Sequence, residues 1–351
     1  MRLARQDLKR WGTIFLGCLV TGGLTYAAFR NVRIGEIVAV FSSVRLRWIP
    51  VMSLVVLGDL YVRSVRWKLL LSSATPRVTL GTTLRLETIG LAVNNIAFLR
   101  LGEALRAYWA GRELRLPMTT CLATVFVERA MDMITLVFLF AAAAWSQPDL
   151  VPAGLSTTAF GVAGGLVCGL VFLAMIDGRA RSHGLIARLL RNFPRLRFMV
   201  EEAAMGTRAL RSWKMAAGIF LLGFGLWLLD ALLFWAGGRA VGLVPDLGYG
   251  RSLLVLASAA AACFLPAVPG SFGAYEQTIK MLLVHMGTPD AAALGYAGFV
   301  HLLNYLIVTG LGLLLMYRMG LSLASLRAVR VDEIPGDAGT PVPVPQRKAA
   351  L

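Results

Sequence analysis

Charge is scarce in this chain, and acidic charge scarcest. Only 15% of its 351 residues are charged, 19 Asp and Glu against 35 Lys and Arg, where a soluble domain carries about 25%. A surface wetted by ionised side chains is therefore excluded. Cysteine and histidine are few as well. Cys18, Cys121, Cys168 and Cys263 stand far apart and form no C-x-x-C pair. Zinc-ribbon and dithiol redox chemistry are excluded, and the four read as small apolar fillers. His183, His285 and His301 share no metal-ligand spacing, so no metal is expected. A phosphate-cradling glycine loop and a nucleophile motif are also missing. No cofactor is expected.

What is there is apolar. Hydrophobic residues make up 57% of the chain and fall in blocks of about 20, the length that crosses a hydrocarbon core of roughly 30 Å. Six blocks read as spanning helices, at residues 11–29, 48–71, 117–145, 155–176, 214–237 and 291–317. The first follows Arg2 to Arg10 as a signal peptide would, but it is longer than a signal core and has no small-residue cleavage site after it. It reads as a retained span. The polar tail 319–351, Pro-rich at 340–346, lacks the composition for a core and is expected to be mostly disordered. Residues 1–318 are expected to form one transmembrane domain.

The formal net charge of +16 does not point to nucleic acid, because the basic residues lie between apolar blocks. Arg2, Arg5, Lys9 and Arg10, the basic loop 177–213, and Arg318, Arg327 and Arg330 place both termini in the cytoplasm by the positive-inside rule. Arg30, Arg33, Arg45 and Arg47 disagree, and their segment is expected to be an interfacial helix. Two further apolar segments fail as simple spans. Residues 83–111 contain Arg85, Glu87, Arg100, Glu103 and Arg106, and one central arginine alone disfavours insertion by about 2.5–3.5 kcal/mol. Residues 253–285 carry the Leu265–Gly273 stretch with two prolines, which cannot stay helical. Both read as re-entrant hairpins entering from opposite faces, the arrangement of an inverted-repeat transporter with its site between them. The fold class expected is all-α and polytopic.

Four constellations stand out. Asn94 to Arg106 places Glu103 and Arg106 three apart on one helical face. Arg100 and Arg106 suit a phosphate headgroup, or the cluster only locks the hairpin. Glu128, Arg129 and Asp132 share a face inside an apolar helix and must turn inward. They can partner the first cluster's arginines as a structural bridge or act in gating. Pro269, Gly270, Gly273 and Glu276 can restart a helix aimed at an anion, or Glu276 merely caps that helix. Arg63, Arg66 and Lys68, beside Trp67, read first as a membrane-surface anchor and second as a headgroup contact. Asp59 and Asp230 lie alone in apolar helices with no partner named by the sequence.

The run Arg63–Leu70, the element Asn94–Arg106, the group Glu128–Asp132 and the run Pro269–Glu276 occur in that order. Together they resemble the flippase-like membrane region of lysylphosphatidylglycerol synthases and its stand-alone relatives, over roughly residues 11–317. The resemblance implies a lipid flippase or a lipid-trafficking partner of the bacterial inner membrane, without the soluble synthase domain. It implies contact with membrane lipids, anionic ones above all, and with a lipid-synthesis enzyme or glycosyltransferase. One departure is visible. The family often has proline just before its Gly-Glu pair, and here Phe98-Leu99-Arg100 stands there, which implies a less sharply broken element. Three functions stay open: a lipid transporter, an accessory membrane subunit without transport activity, and an enzyme using Glu103, Glu128, Asp132 and Glu276 as acid–base groups.

Overall fold

The computed structural model describes residues 18–30, 32–97, 101–150, 154–179, 206–243, 245–263 and 269–320, and all regular structure among them is helical. Residues 11–17, Arg100, most of the basic loop, the break at 264–268 and the tail after 320 lie outside the described residues. The helices are α1 (Cys18–Phe29), α2 (Ile34–Ser42), α3 (Trp48–Ser72), α4 (Leu80–Ile96), α5 (Leu101–Leu114) and α6 (Met118–Trp145), followed by α7 (Leu155–Arg179), α8 (Trp213–Val241), α9 (Tyr249–Ala262), α10 (Ala274–His285) and α11 (Asp290–Arg318). Among the described residues, α3, α8 and α11 are long and apolar enough to cross a membrane. At 28 residues α6 has the length, but Glu128, Arg129 and Asp132 interrupt its apolar run.

Helix ends follow local chemistry. Thr79 caps α4 by accepting the Thr82 N–H at 3.1 Å. That helix stops at Ile96, where Ala97 turns extended (φ −96°, ψ 148°), and the next begins at Leu101. The chain leaves the helix at Ala97 although Phe98-Leu99-Arg100 stands where the family often has proline. A hydrogen bond closes the gap instead: the Gly102 N–H donates to Asn94 Oδ1 at 2.8 Å. Gly102 also brings α5 against α4 so closely that a Cβ there would meet the Gly90 carbonyl oxygen. At one 1.5 Å rise per residue, α4 and α5 are about 25 and 21 Å long, short of a full crossing. The 14-residue α9 equals α5 in length, and the 12-residue α10 is shorter still. The 30–47 segment holds the nine-residue α2, which has no fully buried residue and lays Phe41 edge-on against Phe299 of α11.

A long, short, short, long order of helices occurs twice. The first set is α3, α4, α5 and α6; the second is α8, α9, α10 and α11. Packing between the sets respects that correspondence. The two leading helices pack on each other, α4 packs on α11, and its counterpart α9 packs on α6. Met52, Leu229 and Arg66 abut Gly237, Gly58 and Gly223 respectively. Residue numbers on α3 thus rise as those on α8 fall, so the pair is antiparallel. The start of α9 meets the end of α6 through Leu254, Ala143 and Ala144. Ile89, at the middle of α4, shares a cluster with Met316 near the end of α11.

Candidate functional site

The apolar setting leaves a buried charge no water, so each must find an opposite charge or a hydrogen bond. Arg66 of α3 is fully buried and forks onto α6, with Nη1 at 2.6 Å from Asp132 and Nη2 at 3.0 Å from Glu128. Arg106 of α5 reaches the other Glu128 oxygen at 3.1 Å and pairs with Glu87 of α4. Its guanidinium also lies 4.8 Å from the Trp67 ring centroid, a cation–π contact. Trp67 in turn donates its indole N–H to Thr124 of α6 at 3.1 Å. Arg129 contacts Glu128 at 3.2 Å, Asp132 at 3.1 Å and Glu103 at 3.3 Å. One turn before Arg66, Arg63 bonds Asp59 at 2.8 Å and Asp230 of α8 at 3.3 Å. Four guanidiniums therefore meet six carboxylates, a formal balance of −2.

Burial is uneven across this network. Glu128 and Arg66 have no exposed side-chain surface, whereas Arg129 and Glu103 keep 28% and 26%. The network thus has one open edge, at the start of α5 beside the middle of α6. A second, smaller cluster lies at the start of α10. Glu276 accepts the Gly273 N–H through Oε2 at 2.7 Å and meets His301 Nδ1 of α11 through Oε1 at 2.5 Å. Phe272 stacks on the imidazole at 4.6 Å between centroids, Tyr275 lies at 4.4 Å, and Tyr305 stands edge-on at 6.4 Å. Gly270, Ser271 and Gly273 all have positive φ here, 72°, 57° and 84°, a conformation that favours glycine.

The residues singled out in the sequence fall into two places. Asn94, Glu103, Arg106, Glu128, Arg129 and Asp132 gather at the α4–α5 hairpin and α6, while Pro269, Gly270, Gly273 and Glu276 surround the start of α10. Arg100 lies outside the described residues. The expected Glu103–Arg106 pair does not form: Arg106 turns to Glu87 and Glu128, and Glu103 turns to Arg129. Arg63 and Arg66 are not surface anchors. Arg63 keeps 11% of its side-chain surface and Arg66 none, because Asp59 on α3 and the carboxylates of α6 and α8 packed against it draw both guanidiniums inward. Lys68 is half-buried on the same helix and forms no ion pair with a described residue. Glu276 caps its helix, which was the plainer of the two readings. Asp59 and Asp230 find one shared partner in Arg63. The pairing of Glu87 with Arg106 and of His301 with Glu276 was missed. A signal was present for His301, since it follows Glu276 at nearly the interval by which Arg129 follows Glu103.

An all-helical chain with membrane-length apolar helices and ionised side chains paired in its interior is a polytopic membrane protein. Residues 14–312 match the family model described as the lysylphosphatidylglycerol synthase TM region, and the chain belongs to that family. It is also similar to a UPF0104 membrane protein of Methanothermobacter thermautotrophicus, 25% identical over 281 residues that cover 75% of this chain and 81% of the relative.

Proposed function

We propose that the protein moves a lipid with an anionic or lipid-linked headgroup between the leaflets of the bacterial inner membrane, without altering it chemically. One observation carries this reading: the Glu103–Arg129 pair is the most open of the charge network, at 26% and 28% side-chain exposure. Buried ion pairs seldom add stability beyond what apolar side chains of equal volume supply, so such a network in an apolar setting invites a functional account. Arg129 already shares its guanidinium among three carboxylates. An arriving phosphate can displace Glu103 and take its place, while Glu128 and Asp132 keep the guanidinium oriented. Buried Arg66 and Arg106 hold those two acids in place and do not themselves reach the lipid.

In this reading α4–α5 and α9–α10 are re-entrant hairpins from opposite faces, and α3, α6, α7, α8 and α11 span together with the segment 11–29. Antiparallel packing of α3 on α8 supports an inverted repeat, the architecture in which substrate sites lie between two broken elements. Both termini are cytoplasmic, and membrane lipids and a lipid-synthesis enzyme or glycosyltransferase are the partners. A second reading, an accessory subunit without transport, draws on the negative balance of the network: all four of its guanidiniums already have carboxylate partners. Reconstitution of the full chain in vesicles of phosphatidylglycerol and phosphatidylethanolamine, with a headgroup-labelled anionic lipid, separates the two. Lipid should cross with wild type and slow at least tenfold with Arg129→Gln. Absence of crossing with folded wild type would favour the accessory subunit.

A further inference from the structure

The two halves of the molecule carry the same latch, built once with arginine and once with histidine. Glu103 is the third residue of α5, and it pairs with Arg129, the twelfth residue of α6. Glu276 is the third residue of α10, and it pairs with His301, the twelfth residue of α11. In each case the second helix of a broken pair is tied, within its first turn, to the middle of the long helix that follows. The difference lies in the cation. A guanidinium keeps its charge, whereas an imidazole gains or loses it with one proton.

We propose that Glu276 and His301 form a proton-binding site that latches the start of α10 to α11. With Nδ1–H donated to Glu276 Oε1, the proton is taken up or released at Nε2. Uptake converts a hydrogen bond from a neutral imidazole to a carboxylate into an ion pair between imidazolium and carboxylate. Glu276 Oε2 simultaneously holds the Gly273 N–H, so the state of the imidazole reaches the three positive-φ residues that shape this turn. That turn is poised against α1, where a Cβ on Gly273 would meet Thr25. The aromatic rings of Phe272, Tyr275 and Tyr305 enclose the imidazole and restrict its other partners.

Among the described residues, α2 also packs on α11, and its Glu36 accepts the Arg33 N–H. On α10, Lys280 is engaged by Asp290 at 2.8 Å and by the Ala28 carbonyl at 2.9 Å. Tyr275 lies within electrostatic reach of Tyr296 on α11, Cys263 at the end of α9 and Asp230 on α8. Asp230 is held by Arg63. The 269–271 turn packs on α4, whose Arg85 and Glu87 are paired with Glu113 and Arg106. His301 is thus the partner that one proton can switch on Glu276.

The inference rests on the transport reading for its purpose, since a proton-dependent latch on one hairpin would tie lipid movement to proton concentration. The site itself is tested without transport. Hydrogen exchange of residues 269–276 is followed by mass spectrometry in the vesicles named above, from about pH 5.5 to about pH 8.5, after correction for intrinsic exchange. Wild type should open roughly tenfold more at the upper end, the ratio expected when an ion pair becomes a hydrogen bond from a neutral donor to the same carboxylate. His301→Arg, which copies the latch of the first half, should remove the slope while staying folded, and Glu276→Gln should leave the turn open throughout. A flat wild-type profile, or an unchanged slope in His301→Arg, overturns the proton site. A slope present in wild type and lost in His301→Arg, with no lipid crossing, supports the site and refutes the transport reading. Lipid crossing whose pH profile is the same in wild type and His301→Arg overturns the coupling.

Discussion

Replacing Arg66 by methionine removes the one side chain that joins α3 to both acids of α6. Methionine fills most of the aliphatic volume, so the loss falls on charge. Asp132 keeps only Arg129, Glu128 keeps Arg106 and Arg129, and the network's formal balance moves from −2 to −3. Both acids are almost wholly enclosed, at 6% and 0% side-chain exposure, so water cannot take over the lost bonds. Removing one partner of a buried pair costs about 3–5 kcal/mol. At roughly 2–4 °C per kcal/mol for a chain of this order of size, the thermal midpoint in detergent should fall by about 6–20 °C. The comparison variant is Arg85→Gln. Its pair with Glu113 is about one-third exposed on both sides, and such a pair contributes less than about 1 kcal/mol. Midpoints are read by the tryptophan fluorescence and aggregation of purified protein in one detergent. Equal midpoints for Arg66→Met and wild type would refute the reasoning that this network is a dry, mutually dependent set.

Four further outcomes follow from the same geometry. Gly102→Ala should lower the yield of folded protein and the midpoint by the equivalent of about 1–3 kcal/mol, because its Cβ meets the Gly90 backbone. Gly161→Ala in α7, where nothing lies within contact, should instead raise stability by about 0.5–1 kcal/mol. Trp67→Phe keeps a ring beneath Arg106 but loses the indole bond to Thr124, and should cost about 1 kcal/mol in a denaturation series. Lys280→Met removes the side-chain tie from α10 to the Ala28 carbonyl and to Asp290. It should raise protease cleavage near α1, and unchanged cleavage would show that α1 is held by other contacts.

Much of the architecture was legible in the sequence because apolar block length is a one-dimensional property. The spans expected at 48–71, 117–145, 155–176, 214–237 and 291–317 each coincide with one helix, to within a few residues, among the described residues. A break within 83–111 was expected from its charges, and α4 does end at Ile96 before α5 begins at Leu101. That Glu128 and Asp132 face inward followed from their four-residue spacing in an apolar helix.

Pairing was not legible. Arg63-Ser64-Val65-Arg66-Trp67-Lys68 reads as an anchor at a helix end, because local sequence places basic residues near the boundary of an apolar block. Whether those side chains reach outward to headgroups or inward to acids depends on what lies opposite, on α6 and α8, 62 and 167 residues away. The same holds for Arg106, which passes over Glu103 three residues away for Glu87 and Glu128. Sequence by itself determined where this chain can be helical, which segments suit a membrane and which charges must be hidden, since these depend on composition and period. Only the tertiary structure decided which charge meets which, and that the Glu103–Arg129 latch has a histidine counterpart. A buried ion's partner is set by the approach of distant helices, and that approach is the sum of all their packing.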